Sequence, residues 1–404
     1  MSSPSYLFCR SIFHRSSKYF ISKSSTSFKS FSSRLCHRDV RRTSTAAASP
    51  PWLMLPPAFE GGGDMIHNFY SLTENKVITL NGSGEKELTD VLSKSNLHCA
   101  FKGSSHGYLA LFNEVSFDLF LYNPISHRHI KLPPIHNLPY FTNFNNSLTK
   151  VFLSCSPDEN CCALMTYSVS PYFKAAFCYP GRSNEWTPFP FGCTHFLYDE
   201  CAYSSEQQLL FALRSDRYLE TWDLHYLEPK DVEKMLNNGH FMPVEHLVVV
   251  NKHLLLVTRY VVHVDPDGSS VDCLDGSANN LPHMTVYFCA HKYDHEKGDF
   301  VYMEDSLDGL ALFVGNQSDN VALPAANFPG LKPDSIYFTD TIGMRYWKLF
   351  HPGCGDYDAP FGGHDIGIFN YEDKTVSSCY YPCDVQSIQR IFPSPMWFFT
   401  SSSI

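Results

Sequence analysis

The chain has 404 residues, of which 44% are hydrophobic, 15% aromatic and only 18% charged, with a formal net charge of −10. No apolar run reaches ~18 residues, which leaves no candidate for a membrane-spanning helix, and long amphipathic heptads are absent. The acidic balance argues against nucleic acid as a general partner, because phosphate contacts need clustered Lys and Arg.

The charge is unevenly placed. Residues 1–50 hold nine basic residues (Arg10, Arg15, Lys18, Lys23, Lys29, Arg34, Arg38, Arg41 and Arg42) and one acid, Asp39. Residues 51–404 are left with 22 basic and 40 acidic residues, so the formal charge is +8 before the boundary and −18 after it. A basic, Ser-rich, acid-poor N-terminal stretch reads as an organelle transit peptide. Aromatics such as Phe13, Phe20 and Phe31 are interleaved with the cations and fall roughly on one side of a helix, a pattern suited to a membrane surface. No apolar run of about seven to fifteen residues marks a secretory signal. The expectation is a disordered mitochondrial transit peptide over 1–48, cleaved between Arg34 and Ala48. A chloroplast address and a retained basic tail are the alternatives.

From residue 51 onward the composition predicts many short strands joined by turns. One phrase recurs: an apolar strand ending in an aromatic residue, a polar turn, and a second strand. It occurs at 117–135, 175–189, 217–229, 287–305 and 366–382. Asn123-Pro124, Pro180-Gly181 and His295-Glu296-Lys297-Gly298 supply the turn chemistry. With Tyr122, Tyr179, Trp222, Tyr293 and Phe369 as markers, the steps are 57, 43, 71 and 76 residues. Propeller blades run about 40–50 residues, so the long steps imply insertions or degraded blades.

Further strands are expected at 106–113, 150–156, 161–167, 208–214 and 309–316, with a hairpin over 246–264 turning near Asn251-Lys252. Helical spots are expected at 228–238, where a Pro stands near the start of a mixed-charge run, and as one turn over 325–331. The fold expected over 51–399 is an all-β propeller of about six to seven irregular kelch-like blades. A two-sheet sandwich or a pair of barrels is the alternative.

"PWLMLPP" (51–57), "FYSLTENKVITL" (69–80), "CAFKGSSHGYLALFN" (99–113), "LYNPISHRHIKLPPI" (121–135), "SIYFTDT" (335–341) and "IGIFNYEDKTV" (366–376) follow one another in order. In that order they resemble the plant domain-of-unknown-function family numbered 295, also called the KIB-type β-propeller domain. Many of its members carry an N-terminal F-box that recruits a ubiquitin-ligase scaffold. Here the first 50 residues lack the Leu-Pro-rich three-helix pattern of an F-box. The chain is therefore similar to the organellar branch of that family. The resemblance implies no established activity.

No chemical motif is complete. His351, Cys354, Asp356, His364 and Asp365 gather in a Gly-rich stretch that reads as a polar loop, with a two-His, one-carboxylate metal set as the sharper alternative. Ser105 beside His106 lacks the GxSxG elbow of a hydrolase, and His106-Gly107 reads as a tight turn opening a strand. Asp265, Asp267 and Ser269 alternate as in a calcium loop, but Gly276 stands where the glutamate is required. The triglycine at 61–63 lacks the Lys-Ser/Thr of a phosphate loop. The cysteines show no paired CxxC spacing, and Cys99, Cys155, Cys161, Cys162, Cys178, Cys193, Cys201 and Cys289 read mostly as small buried hydrophobes. Asn81, Asn145 and Asn316 open N-x-S/T triplets that would not meet the glycosylation machinery in a mitochondrion.

No catalytic residue, metal site or cofactor is therefore expected. Two functional classes remain: a non-enzymatic interaction module with a protein partner, a basic one suiting the acidic surface, and an enzyme whose site is assembled from propeller loops. A relative of F-box adaptors that has lost its F-box is a further alternative.

Overall fold

The segment "YLALF" explains the architecture. Leu109 and Leu111 pack to one side of their strand, with Phe69, Met396 and Phe398. Ala110 and Phe112 pack to the other, with Val151, Met165 and Ala176. A sheet covered on both faces buries every side chain, so its strands read as unbroken apolar runs rather than alternating ones.

The computed structural model describes residues 50–59, 65–81, 99–113, 115–138, 148–157, 160–169, 172–189, 198–214, 218–224, 228–234, 244–264, 270–271, 281–315, 317–340, 361–380 and 390–400. The chain divides after Ala48, and all described residues belong to the second unit, Ser49–Ile404. Among them the strands form six successive groups. The first holds β1 (Trp52–Met54), β2 (Ala58–Phe59), β3 (Met65–Ser71) and β4 (Lys76–Asn81). The second runs β5 (Cys99–Ser105), β6 (Tyr108–Asn113), β7 (Leu119–Tyr122) and β8 (His129–Lys131). The third runs β9 (Leu148–Leu153), β10 (Ala163–Val169), β11 (Tyr172–Cys178) and β12 (Thr187–Pro188). The fourth runs β13 (Tyr198–Ser204), β14 (Leu209–Arg214), β15 (Tyr218–Asp223) and β16 (Glu228–Lys234).

The fifth group holds β17 (Val244–Val250), β18 (His253–Val264), β19 (Ser270–Val271), β20 (His283–Asp294) and β21 (Asp299–Met303). The sixth holds β22 (Leu310–Val314), β23 (Val321–Pro324), β24 (Ser335–Phe338), β25 (Gly367–Asn370) and β26 (Thr375–Ser378). The last strand, β27 (Met396–Phe398), returns to the first group and pairs antiparallel with β1. C-terminal and N-terminal strands thus share one sheet, which closes the ring and protects its edges.

The second, third and fourth groups are four-stranded antiparallel meanders in sequence order. The fifth and sixth are joined into one ladder by a single parallel pair, Val249 with Val321. In the sixth, β22 and β24 run parallel, an irregularity within the blade.

The apolar interfaces lie between neighbouring blades. The second and third bury Leu119, Leu121, Leu153 and Trp186 between them, and Trp186 Nε1 donates to Pro133 O at 2.8 Å across the seam. The third and fourth bury Phe177, Phe189, Leu210 and Trp222; the fourth and fifth bury Leu213, Leu219, Leu247 and Leu256. The fifth meets the sixth through Phe288 on Phe338 and Phe369. The sixth meets the first through Phe313 edge-on to Trp397, ring centroids 5.1 Å apart. Each such aromatic buries large apolar area and stabilises its seam by roughly 1.5–3 kcal/mol.

The recurring phrase is the outer hairpin of the second to sixth blades. Its aromatic is followed by an Asn or Asp in four of the five cases. Asn123 Oδ1 accepts from the backbone N–H of Ile125 and Ser126, Asp294 Oδ1 from Glu296 and Lys297, and Asn370 Oδ1 from Glu372 and Asp373. Asx chemistry thus sets the turns. The two long steps arise because β18 and β20 have 12 residues each and because 28 residues (339–366) separate β24 from β25 in numbering, 341–360 among them lying outside the described residues.

His106 (φ 47°) and Gly107 (φ 80°) form the tight turn between β5 and β6, and the 246–264 hairpin turns at Asn251 as expected. One helical turn forms at Ala325–Asn327. The other helical expectation fails: 228–234 is strand β16, paired antiparallel with β15. Pro229 and the mixed charges suit a helix start, but the strand is the outermost of its blade, where Pro and polar residues are tolerated. Among the described residues Cys161, Cys162, Cys178, Cys201 and Cys289 are buried. Burial pushes the Cys161 thiol up to about 12, consistent with an inert core residue. The triglycine 61–63 and the 265–269 loop lie outside the described residues.

Candidate functional site

The innermost strand of each blade faces the ring centre, and a charge in the middle of such a strand stands out. Lys150 on β9, Glu200 on β13 and His246 on β17 are all buried. Lys150 Nζ lies 3.4 Å from Glu200 Oε1, and His246 Nδ1 lies 3.5 Å from Glu200 Oε2. Burial pulls the His246 imidazole down to about 4 in spite of the neighbouring carboxylate, so it is neutral at physiological pH.

The loop between β22 and β23 closes over these groups. Asn320 Nδ2 donates to Glu200 Oε2 at 3.1 Å and to Leu247 O at 3.2 Å, while Gly315 N–H donates to Asn320 Oδ1 at 3.3 Å. Asp319 N–H donates to Ser104 O at 3.1 Å, and the Ser105 hydroxyl donates to Asp319 Oδ2. Ser105 Oγ in turn accepts from Leu153 N at 3.0 Å. One loop of the sixth blade therefore touches the second, fourth and fifth, and through Ser105 is tied to the third. Gln317 and Ser318 within it are buried. A Cβ on Gly315 would stand 2.3 Å from Thr339 Oγ1, which explains a glycine there. Burial pushes the Asp319 carboxyl up to about 7, against the opposing pulls of Ser105 and Lys150.

A second polar cluster lies at the long strands of the fifth blade. Arg259 on β18 is fully buried. Its Nε donates to Thr285 Oγ1 at 2.7 Å, one terminal nitrogen to Thr339 O at 2.7 Å, and the other to Asp365 Oδ2 at 2.7 Å. Its guanidinium carbon stands 4.8 Å from the Phe338 ring centroid. Asp365 also accepts from the Thr285 backbone N–H and hydroxyl. Arg259 thus ties the start of β20 to the exit of β24 and the entry of β25.

Beside it stand His283, Asp340 and His364, whose ligand atoms all lie within 4.8 Å of one another. His283 Nε2 is 2.8 Å from Asp340 Oδ1. Burial alone would pull His283 down and push Asp340 up. The carboxylates of Asp340 and Asp365 override this at His283, whose net shift is upward. His283 and Arg259 beside it hold Asp340 well below the usual carboxylate range.

Of the polar loop singled out in the sequence, His364 and Asp365 are described and part ways: Asp365 serves Arg259, and His364 joins His283 and Asp340. His351, Cys354 and Asp356 lie outside the described residues. Ser105 and His106 form no nucleophile–base pair; the hydroxyl serves the central loop. Lys150, Glu200, His246, Asp319, Arg259, His283 and Asp340 were not anticipated. The available signal was a lone charge inside an apolar strand, as in "LTKVFL" and "LLLVTRYVV".

A family model described as KIB1-4 beta-propeller matches residues 69–370. The chain belongs to the KIB1-4 β-propeller family. The match covers five of the six resembling segments, "FYSLTENKVITL" through the start of "IGIFNYEDKTV". Among solved structures, this KIB1-4 propeller is similar to AztD of Citrobacter koseri, with 10% identity, 67% of this chain and 61% of that chain covered, and a TM-score of 0.36. It spans about three fifths of that structure's length. It is also similar to the Cps50 (Swd1) β-propeller domain of Myceliophteria thermophila, with 11% identity, 80% and 84% covered, and a TM-score of 0.33. No curated protein matches.

Proposed function

We propose that this KIB1-4 propeller is a non-catalytic protein-interaction module of the mitochondrion, of the organellar branch of its family. The observation that carries the reading is the loop 315–320. It occupies the ring centre and uses the hydrogen bonds of Glu200, Ser104, Ser105 and Leu247. Binding is thereby directed to the rims of the ring. The charge of −18 over residues 51–404 suits a basic partner. The cationic, Ser-rich first 50 residues support the mitochondrial address, with the chloroplast as alternative.

A second reading, an enzyme assembled from several blades, is favoured by the buried ionisable groups at the centre, with Asp319 and His246 displaced in opposite senses from their usual values. That the central loop covers these groups ranks this reading second. The test is capture of the tagged full chain from purified mitochondria after crosslinking. A reproducible protein partner, lost when rim residues are changed and kept when Glu200 is replaced by Gln, supports the module. Substrate turnover abolished by Glu200→Gln overturns it. A fluorescent fusion of residues 1–50 that stays cytosolic removes the mitochondrial address.

A further inference from the structure

We propose that His283, Asp340 and His364 form a binding site for one divalent transition-metal cation of the zinc class. The geometry begins with His364. Its Nε2 stands 2.9 Å from the carbonyl oxygen of His283. A carbonyl only accepts, so Nε2 carries the proton and, in the neutral ring, Nδ1 presents a lone pair. That Nδ1 is buried and has no hydrogen-bond partner among the described residues. The side chain is 8% exposed, and Nδ1 faces Asp340 Oδ2 at 3.8 Å. A lone pair on Nδ1 facing a carboxylate oxygen across 3.8 Å is repelled unless a cation, a proton or a metal ion, stands between them.

The third donor completes the set. His283 Nε2 reaches Asp340 from the other side at 2.8 Å. Two imidazoles and one carboxylate, with remaining positions open, suit Zn²⁺ or Fe²⁺ rather than Mg²⁺ or Ca²⁺. Metal bonds of about 2.0–2.2 Å require ligand atoms within about 4.2 Å of one another. The present spans, all within 4.8 Å, are close to that limit. The cation would take the place of the proton now shared by His283 and Asp340.

The surroundings are those of a prepared metal site. A backbone carbonyl orients His364, as outer-shell acceptors orient metal-bound histidines elsewhere. Arg259 holds Thr339, one residue before Asp340, and Asp365, one residue after His364; it also holds Thr285, two residues after His283. Three segments distant in sequence are thus fixed so that their donors converge. The site is independent of the interaction reading, although Thr339, one residue before Asp340, adjoins Gly315 at the start of the central loop.

The test uses the full chain, stripped with a chelator and dialysed. Zn²⁺ alone is titrated calorimetrically, and Co²⁺ is added as a spectroscopic probe. The expected result is one tight equivalent, with Co²⁺ showing ligand-field bands and no thiolate charge-transfer band. His364→Gln and Asp340→Asn, checked for unchanged melting in chelator, each weaken that equivalent by more than the about 10–100-fold of outer-shell changes. His295→Ala, in an exposed turn, leaves it intact. Absence of Co²⁺ uptake by the wild-type chain overturns the proposal, as does a thiolate band or equal Zn²⁺ affinity in a folded ligand variant.

Discussion

Replacing Arg259 with Met tests the packing of the fifth and sixth blades. The side chain has no solvent exposure, and its guanidinium bonds to Thr285, Thr339 and Asp365 while lying against Phe338. Met fills most of the volume but leaves the Asp365 carboxylate buried with, among the described residues, the two Thr285 donors. Breaking a buried pair in this way costs about 3–5 kcal/mol, a large share of the roughly 5–15 kcal/mol that holds a domain folded. Removing both charges costs less, because no ion is then stranded. Arg259→Met combined with Asp365→Asn should recover at least about 1 kcal/mol relative to Arg259→Met alone. Urea denaturation of wild type, both single variants and the double variant gives the cycle. A single variant within about 1 kcal/mol of wild type, or strict additivity in the double, would refute the claim that this guanidinium holds three segments together.

Two further outcomes are expected. Asp319 binds a proton more readily in the fold than when unfolded, so its contribution to stability is fully present below about pH 4 and is lost as pH rises through about 7. At full burial this is worth up to about 4 kcal/mol, and the residual solvent contact of Asp319 reduces it to about 2 kcal/mol. Relative to Asp319→Asn, the wild-type chain should lose that amount between about pH 4 and about pH 7; parallel stability profiles would contradict the assignment. Gly103→Ala would place a Cβ 1.9 Å from the backbone carbonyl oxygen of Val151 on the neighbouring inner strand. A backbone obstacle cannot rotate away, so a loss of about 3 kcal/mol is expected from thermal melts, and an unchanged melt would show that the two strands are not so close.

The outer hairpins were legible because their signal is local: an aromatic, an Asn or Asp, and a turn within a dozen residues. The inner strands were legible as apolar runs because both faces of each blade are covered. The 228–234 strand was not, since an edge strand carries Pro and charge that read equally well as a helix start. The clusters were invisible for a different reason. His283 and Asp340 stand 57 residues apart, and Ser105 and Asp319 stand 214 apart. Ring closure, with β27 returning to β1, brings Ser105 and Asp319 together, while His283 and Asp340 meet because the fifth and sixth groups join in one ladder. What the sequence did carry was the anomaly itself: Lys150, His246 and Arg259 each interrupt a strand that otherwise holds mostly apolar residues.

The functional account depends on a ring centre already occupied by the chain's own loop 315–320. Amide hydrogen exchange of a peptide covering 314–321 measures this directly. The account predicts slow exchange at Gly315 and Asp319, comparable to the inner strands β5 and β13, because both amides are hydrogen-bonded inside the ring. Exchange within seconds, as at an exposed loop tip, would mean that the centre is open, and the case for a self-closed interaction module would fail.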